Sequence, residues 1–200
     1  MSTQTDTYTR ILEAARELIY ASSYAEVGVQ AICDKANVKK GSFYHFFPSK
    51  QELTLAVIDS YYEGFKDSIL REAFSSNLLP SKRFEKLFEL SIARQQSIYE
   101  QTGHVLGCPF GNLATEMATS DESIRCKIDG LFGRLQHLLR DTLQEAIVNG
   151  EMEDLDVDAT AEAMFAYFEG VMMLAKTKND PAVLSKLLPA TAQIRIPKTH

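Results

Sequence analysis

The chain has 200 residues, of which 45% are apolar and 24% charged. Those proportions are globular and exclude a disordered chain, and the length allows one or two domains with a core that needs no staples. The formal net charge of −6 argues against an indiscriminate nucleic-acid binder. Cys33, Cys108 and Cys126 are too few and too scattered for a disulfide framework. There is no apolar run of about 18 residues and no apolar segment of the signal-peptide kind at the start. The expectation is a soluble, reduced, cytoplasmic protein with no membrane partner.

Helical periodicity runs through nearly the whole chain, so the expected class is all-α. Ile11, Leu12, Ala15, Leu18 and Ile19 form one apolar stripe, with Asp6 or Thr7 placed to cap its helix. A short helix is expected from about Val29 to Ala36 after Gly28. A turn at Asn37-Val38 follows, because Asn tolerates the left-handed conformation of a sharp corner. A third short helix spans about Lys40 to Phe46 and is ended by Pro48. Ser49-Lys50-Gln51-Glu52 fits a capping box that opens a helix expected to reach about Phe74. After a loop at 75–81 come a helix from about Lys82 to Gln101 and an irregular stretch, Thr102–Gly111. A short helix then runs through Met117. Ser120 or Asp121 caps the next helix, which runs to Val148 and stops at Asn149-Gly150. Further helices are expected at about 157–177 and after Pro181, with a loose tail from Ala190. The expected division is an N-terminal domain over 1–48 and a helical body over 49–200.

Three short helices in about 45 residues, with a tight turn between the second and third, make a helix-turn-helix plan. In that plan the third helix enters the major groove and the second lies across the backbone. The charge distribution agrees. Residues 1–50 carry six basic and five acidic side chains, a net of +1, which leaves −7 for the rest. Between Lys35 and Lys50 there are four lysines, His45 and no acid, a local basic face on an acidic protein. Lys40, Gly41 and Ser42 form the first turn of the third helix. Gly41 has no Cβ to hold DNA away, and the first N–H groups favour phosphate. Phe43, Phe46 and Phe47 are expected to anchor the helix in the core, leaving Tyr44 and His45 as polar tips.

The stretch Val38-Lys39-Lys40-Gly41-Ser42-Phe43-Tyr44-His45-Phe46-Phe47-Pro48-Ser49-Lys50-Gln51-Glu52-Leu53 resembles the recognition segment of the TetR-type (TetR/AcrR) transcriptional regulators. Arg10-Ile11-Leu12-Glu13-Ala14-Ala15 is similar to the family's first helix. The resemblance implies a homodimer that reads a near-palindromic double-stranded operator, one head per half-site. It implies a ligand-binding body of about six helices, the last two pairing across the dimer axis. Carried over by position, it puts Lys40, Gly41, Ser42, Tyr44 and His45 on DNA. Tyr44 and Lys50 fall at phosphate-contacting positions, as does Gln30 on the second helix. Two positions depart from the pattern. Gly28 stands where a capping threonine is usual, and Lys39 replaces a capping serine and adds charge near phosphate.

Farther on, Gly107-Cys108-Pro109-Phe110-Gly111-Asn112-Leu113-Ala114-Thr115-Glu116 resembles a G-C-x-x-G-N-L-x-x-E stretch of a TetR-type subset. Some members of that subset sense electrophiles or oxidants through the cysteine. Gly170–Lys176 resembles the segment whose lysine lies near that cysteine in such members. A thiol at a helix start, close to an ammonium, is activated as a nucleophile. The expected effector region therefore comprises Cys108, Phe110, Asn112, Met117, Phe168, Met172 and Lys176. Phe88, Ile92, Tyr99, Phe165 and Met173 are further pocket candidates, with Gln95, Gln96, His137 and Glu169 as possible polar anchors. A small-molecule effector is expected, but no cofactor. Ala159, Ala163, Ala166 and Gly170 permit close helix approach and read as a dimer face. Catalytic signatures are missing: there is no H-E-x-x-H, C-x-x-C or phosphate-binding loop. Between His104 and Cys108 the glycines at 103 and 107 break any helix that could align the two, so neither a catalytic residue nor a metal site is expected.

Overall fold

The computed structural model describes residues 3–198, with side chains from Asp6 onward. It is helical throughout, with no strand among the described residues. The chain forms two compact units. The first is Met1–Gly64 with Pro109–Asp129, and the second is Phe65–Cys108 with Gly130–His200.

The first unit begins with α1, Thr3–Ala21, which buries Ile11, Ala14, Ala15 and Ile19. Leu12 and Leu18, expected in the same stripe, are half-buried at its edge. The helix starts upstream of Asp6 and Thr7, so neither caps it. Asp6 instead pairs with Arg10 one turn on, at 3.4 Å. Helix α2, Val29–Ala36, ends on Asn37 at φ 53°. There the Val38 N–H donates to the Cys33 carbonyl at 2.9 Å and the Asn37 N–H to Asp34 at 3.2 Å. This left-handed stop gives the chain its sharp corner. Helix α3, Lys40–Phe46, is held by its aromatic side. Phe43 and Phe47 are buried, and Tyr8 of α1 stacks on Phe47 at 5.0 Å. Phe46, expected in the core, is only half-buried, edge-on to Tyr8 at 6.1 Å.

Ser49 caps α4, Lys50–Phe65, by accepting the Glu52 N–H at 3.0 Å, the serine half of the capping box. Helix α7, Pro109–Met117, buries Phe110, Leu113 and Met117 along one face. Asp121 caps α8, Glu122–Val148, through the Ile124 N–H at 3.0 Å, and its other oxygen accepts from Gln51 of α4 at 2.7 Å.

In the second unit the helix expected to continue to Phe74 does not stay α. Lys66–Leu70 form a π-turn and Arg71–Ala73 a short α5. Both Ile69 and Leu70 of this turn are buried. Helix α6, Pro80–Thr102, starts on Pro80 itself, because a first-turn proline loses no hydrogen bond. Its buried Arg83 forks onto Glu145 of α8 at 2.5 and 3.0 Å. Helix α9, Val157–Lys178, is capped by Asp156 and ends on left-handed Asn179. Helix α10, Ala182–Leu187, runs into a 3-10 turn, Leu188–Gln193.

The expected loose tail is ordered as far as it is described. Leu188 and Thr191 are buried. The Ile196 N–H donates to Thr160 Oγ1 at 3.0 Å, and its carbonyl accepts from the Asp156 N–H at 2.9 Å. Residues 199–200 of that expectation lie outside the described residues. No helix of the described residues is long and apolar enough to cross a membrane.

Candidate nucleic-acid interface and sensing loop

The aromatic side of α3 faces the core, so its other side faces out. Lys39, Lys40, Gly41, Tyr44 and His45 are exposed and Ser42 half-buried. Tyr44, at 53% exposure, is a large ring that the first unit leaves uncovered. A Cβ built on Gly41 would meet nothing within 4 Å. Packing within the protein therefore does not require glycine there, although glycine in a helix costs about 0.5–1 kcal/mol against alanine. Lys39 and Gly28 precede α3 and α2 in extended conformation, and neither supplies a side-chain cap. On α2, Gln30 is exposed and donates to Asp34 at 2.7 Å. Lys35 is taken up by Glu17 at 2.7 Å, so the unpaired positive charge of this face sits at Lys39 and Lys40.

Lys50 is placed differently from the rest. Its ammonium turns inward and donates to the carbonyls of Tyr24 at 2.7 Å and Val27 at 3.1 Å. It lies 3.9 Å over the Tyr24 ring. Burial lowers its pKa and the Glu116 carboxylate partly restores it. Glu116 accepts the N–H groups of Tyr24 at 2.8 Å and Ala25 at 2.7 Å. The α1–α2 loop is thus clamped twice, by a cation from α4 on its carbonyls and by an anion from α7 on its amides. Glu116 is the terminal acid of the G-C-x-x-G-N-L-x-x-E stretch. Its clamping role could not be read from that stretch, because the loop it holds is some ninety residues away. Phe110, Met117 and the half-buried Asn112 belong to this first unit with the helix-turn-helix, and Phe110 sits edge-on to Tyr61 at 6.2 Å.

Cys108, Phe168, Met172 and Lys176 belong to the second unit. The loop that ends at Cys108 is tied down at three points. Buried Gln95 donates to the Gly107 carbonyl at 2.9 Å and accepts the Gly107 N–H at 3.2 Å. Asn179 accepts the Val105 N–H at 2.8 Å and donates to the Gly103 carbonyl at 3.0 Å. Gly107 itself stands at φ +74°, and a Cβ there would come within 3.3 Å of the Lys176 stem and 3.5 Å of the Met172 carbonyl. Both constraints require glycine at this position.

Half-buried Cys108 hydrogen-bonds to the Glu169 carboxylate. Burial pushes that carboxyl up to about 7, with the thiol contact pulling the other way. Among the pocket candidates, Phe88, Phe165 and Phe168 line an apolar cavity of the second unit. Met173 does not belong to it and stands 63% exposed. Cys126 is exposed and bonded to Glu122, while Cys33 is buried in the head. No group of three or more metal-ligating side chains occurs among the described residues.

A turn-coupled helix pair that shows a basic, aromatic face defines a helix-turn-helix DNA-binding protein. Residues 11–57 match the family model described as bacterial regulatory proteins, tetR family, and residues 84–191 match the tetracyclin repressor-like C-terminal domain. The chain belongs to the tetR family of bacterial regulatory proteins. It is 31% identical to an uncharacterised HTH-type transcriptional regulator of Lactococcus lactis subsp. lactis, over 90% of this chain and 88% of that one. It is 32% identical to the transcriptional regulator AcuR of Cereibacter sphaeroides, over 86% and 77%. The solved regulatory protein TetR from Rhodobacter sphaeroides superposes with a TM-score of 0.83 at 29% identity, covering 95% and 99%.

Proposed function

We propose that the chain is a homodimeric repressor whose α3 reads a near-palindromic operator and whose body releases it on binding a small-molecule effector. The observation that carries this reading is the exposed α3 face of Lys39, Lys40, Gly41, Tyr44 and His45. That face has a glycine no internal contact requires and a large ring left in solvent. Residues 1–48 would act as the DNA-binding domain and 49–200 as the effector and dimerisation domain.

Lys39, Lys40 and Tyr44 supply phosphate contacts that fix register. Ser42 and His45 reach base edges, and Gln30 meets the flanking backbone. Lys50 enters as a positioning residue, its ammonium holding the α1–α2 loop; a phosphate contact would require it to leave those carbonyls. The dimer face is assigned to α9, where Ala159, Ala163, Ala166 and Gly170 form one stripe of small residues. It continues into exposed Met173 and Leu174. Such a dimer sets its heads about 34–36 Å apart for successive major grooves.

The test is fluorescence anisotropy with the duplex upstream of the protein's own coding region. Tyr44→Ala is expected to weaken binding about tenfold or more with an unchanged melting temperature. Unchanged affinity would remove α3 from the interface.

A second reading is favoured by the clamped Cys108 loop. In it, Cys108 is a thiol sensor of electrophiles or oxidants, bonded to Glu169 and next in sequence to Gly107, which lies against the Lys176 stem. Because Cys126 is also exposed, the test uses a Cys126→Ser background. N-ethylmaleimide is expected to release that protein from its operator. It is expected to leave a Cys108→Ser/Cys126→Ser protein bound, and release of the double variant would refute this reading.

A further inference from the structure

The first turn of α2 has little packing of its own. Val29 is half-buried, Gln30 and Ala31 are exposed, and the buried residues Ile32, Cys33 and Ala36 all come later. Gly28 adds no side-chain cap. That turn is therefore placed by the loop before it, residues 22–28, in which Val27 is the one buried side chain. Beyond its own short-range bonds, the loop is held by its backbone. Glu116 spreads its carboxylate over two successive amides, Oε2 accepting the Tyr24 N–H at 2.8 Å and Oε1 the Ala25 N–H at 2.7 Å. Charge-assisted bonds to both oxygens fix direction as well as distance. Lys50 takes the carbonyl side, at Tyr24 and Val27. Glu116 stands on a firm base. Phe110, Leu113 and Met117 seat α7. The turn after it is tied to α4 by Gln51 on Asp121 at 2.7 Å, and the start of α8 by Lys127 on Asp59 at 2.6 Å. Helix α7 itself gives no reason for an acid at this place. Glu116 lies in its last turn, by the negative end of the helix dipole, where a carboxylate is disfavoured. The loop it grips supplies the reason.

We infer that Glu116 is a positioning residue for operator binding: by gripping the Tyr24 and Ala25 amides it holds the α1–α2 loop, and so the first turn of α2 with Gln30, in the arrangement that meets the DNA backbone. A loop ordered before DNA arrives has less freedom to lose on binding, so the grip raises affinity without touching DNA. Helix α3 does not depend on it in this way, since Phe43 and Phe47 seat α3 directly in the core. The unit that reads DNA accordingly extends past the expected boundary at residue 48 and includes α7, with which the head forms one compact body. The inference rests on the DNA-binding reading and on the place that reading gives Gln30.

Anisotropy of the full chain on a duplex selected from a random pool tests it, with the binding-competent fraction fixed by stoichiometric titration. Glu116→Gln keeps the size of the side chain but sets an NH2 group against one of the two N–H donors. It is expected to weaken binding about tenfold, the worth of one charge-assisted hydrogen bond. Removing an acid would by charge alone strengthen DNA binding, so a weakening carries the sign of lost positioning. Gln30→Ala is expected to cost about threefold in the wild type and close to nothing beside Glu116→Gln. The loss from Lys40→Ala should be the same in both backgrounds. Protein that is merely destabilised would lose competent fraction and leave both losses unchanged. Glu116→Asp keeps the charge but falls one methylene short; it should weaken binding likewise, and it supplies the same cycle where Glu116→Gln does not fold. The proposal is overturned if the Glu116 variants bind as well as the wild type, if Gln30→Ala costs nothing in the wild type, or if its cost persists in full beside them. Amide exchange at Tyr24 and Ala25 of the wild-type chain at the rate of an unstructured peptide would overturn it without any variant. Tyr44→Ala on the same duplex keeps the two readings apart. If it too leaves binding unchanged, the DNA-binding reading has failed; if it weakens binding while Glu116→Gln does not, only this inference has.

Discussion

Gly41→Ala separates what the fold needs at α3 from what DNA needs. Within the protein the added methyl meets nothing within 4 Å, and α3 is regular there. The substitution should therefore recover the helix cost of glycine, about 0.5–1 kcal/mol. For a chain of this size that is about 1–4 °C in melting temperature. At the interface the sign reverses. A methyl pushed into a fitted contact costs about 1–3 kcal/mol, or roughly 5- to 150-fold in Kd for each head. The assay pairs differential scanning calorimetry with anisotropy on the upstream duplex. A protein that melts higher and binds more weakly is expected. One that melts higher and binds equally well would show that DNA does not approach α3 at Gly41, and the docking argument would fail with it.

Other expected outcomes follow from the same geometry. Lys40→Ala removes one exposed charge per head, so the slope of log K against log salt for a dimer should fall by about 2; a parallel line would place Lys40 away from phosphate. Gln95→Ala removes the two hydrogen bonds that the Gln95 amide makes with the Gly107 N–H and carbonyl. Urea unfolding should show a loss of about 2–6 kcal/mol at about 1–3 kcal/mol for each of the two groups; a loss under about 1 kcal/mol would mean the loop is held by other contacts. Glu169 has its carboxyl raised from 4.5 to about 7. The folded protein thus binds the extra proton, and the stability from the neutral acid is fully present below about pH 4.5 and is lost as pH rises through about 7. Glu169→Gln should flatten that loss, so the variant gains on the wild type between pH 5 and pH 8. Parallel stability curves would place the carboxyl in water.

Much of the head was legible because its signals are local. Asn37 dictates a left-handed stop, Pro48 ends α3, and Ser49 with Glu52 fixes the start of α4, each within four residues. The Phe43 and Phe47 pattern told which side of α3 is buried. Phe46 misled because a third adjacent aromatic on so short a helix has no remaining core side to occupy. In the body, periodicity placed the helices but could not show the π-turn at Lys66–Leu70. The start of α1 was misplaced because a capping residue is only useful where a helix begins, and polar Thr3–Thr5 gave no apolar phase to extend.

The candidate sites divide along the same line. Exposed residues of α3 follow from local helix phase. Lys50 does not, since its inward turn depends on carbonyls of Tyr24 and Val27, some twenty-five residues earlier. Glu116 and Asn179 act on backbone some ninety and seventy-five residues away.

The central claim is sequence-specific reading of duplex DNA by a pair of heads. Selection of bound sequences from a random duplex pool tests it most directly, because it presupposes no operator. The expected product is a near-palindromic site, its half-sites about one helical turn apart centre to centre, bound in a salt-sensitive way and lost with Tyr44→Ala. Recovery of no enriched sequence, or of a site whose binding ignores both salt and Tyr44, would contradict the account.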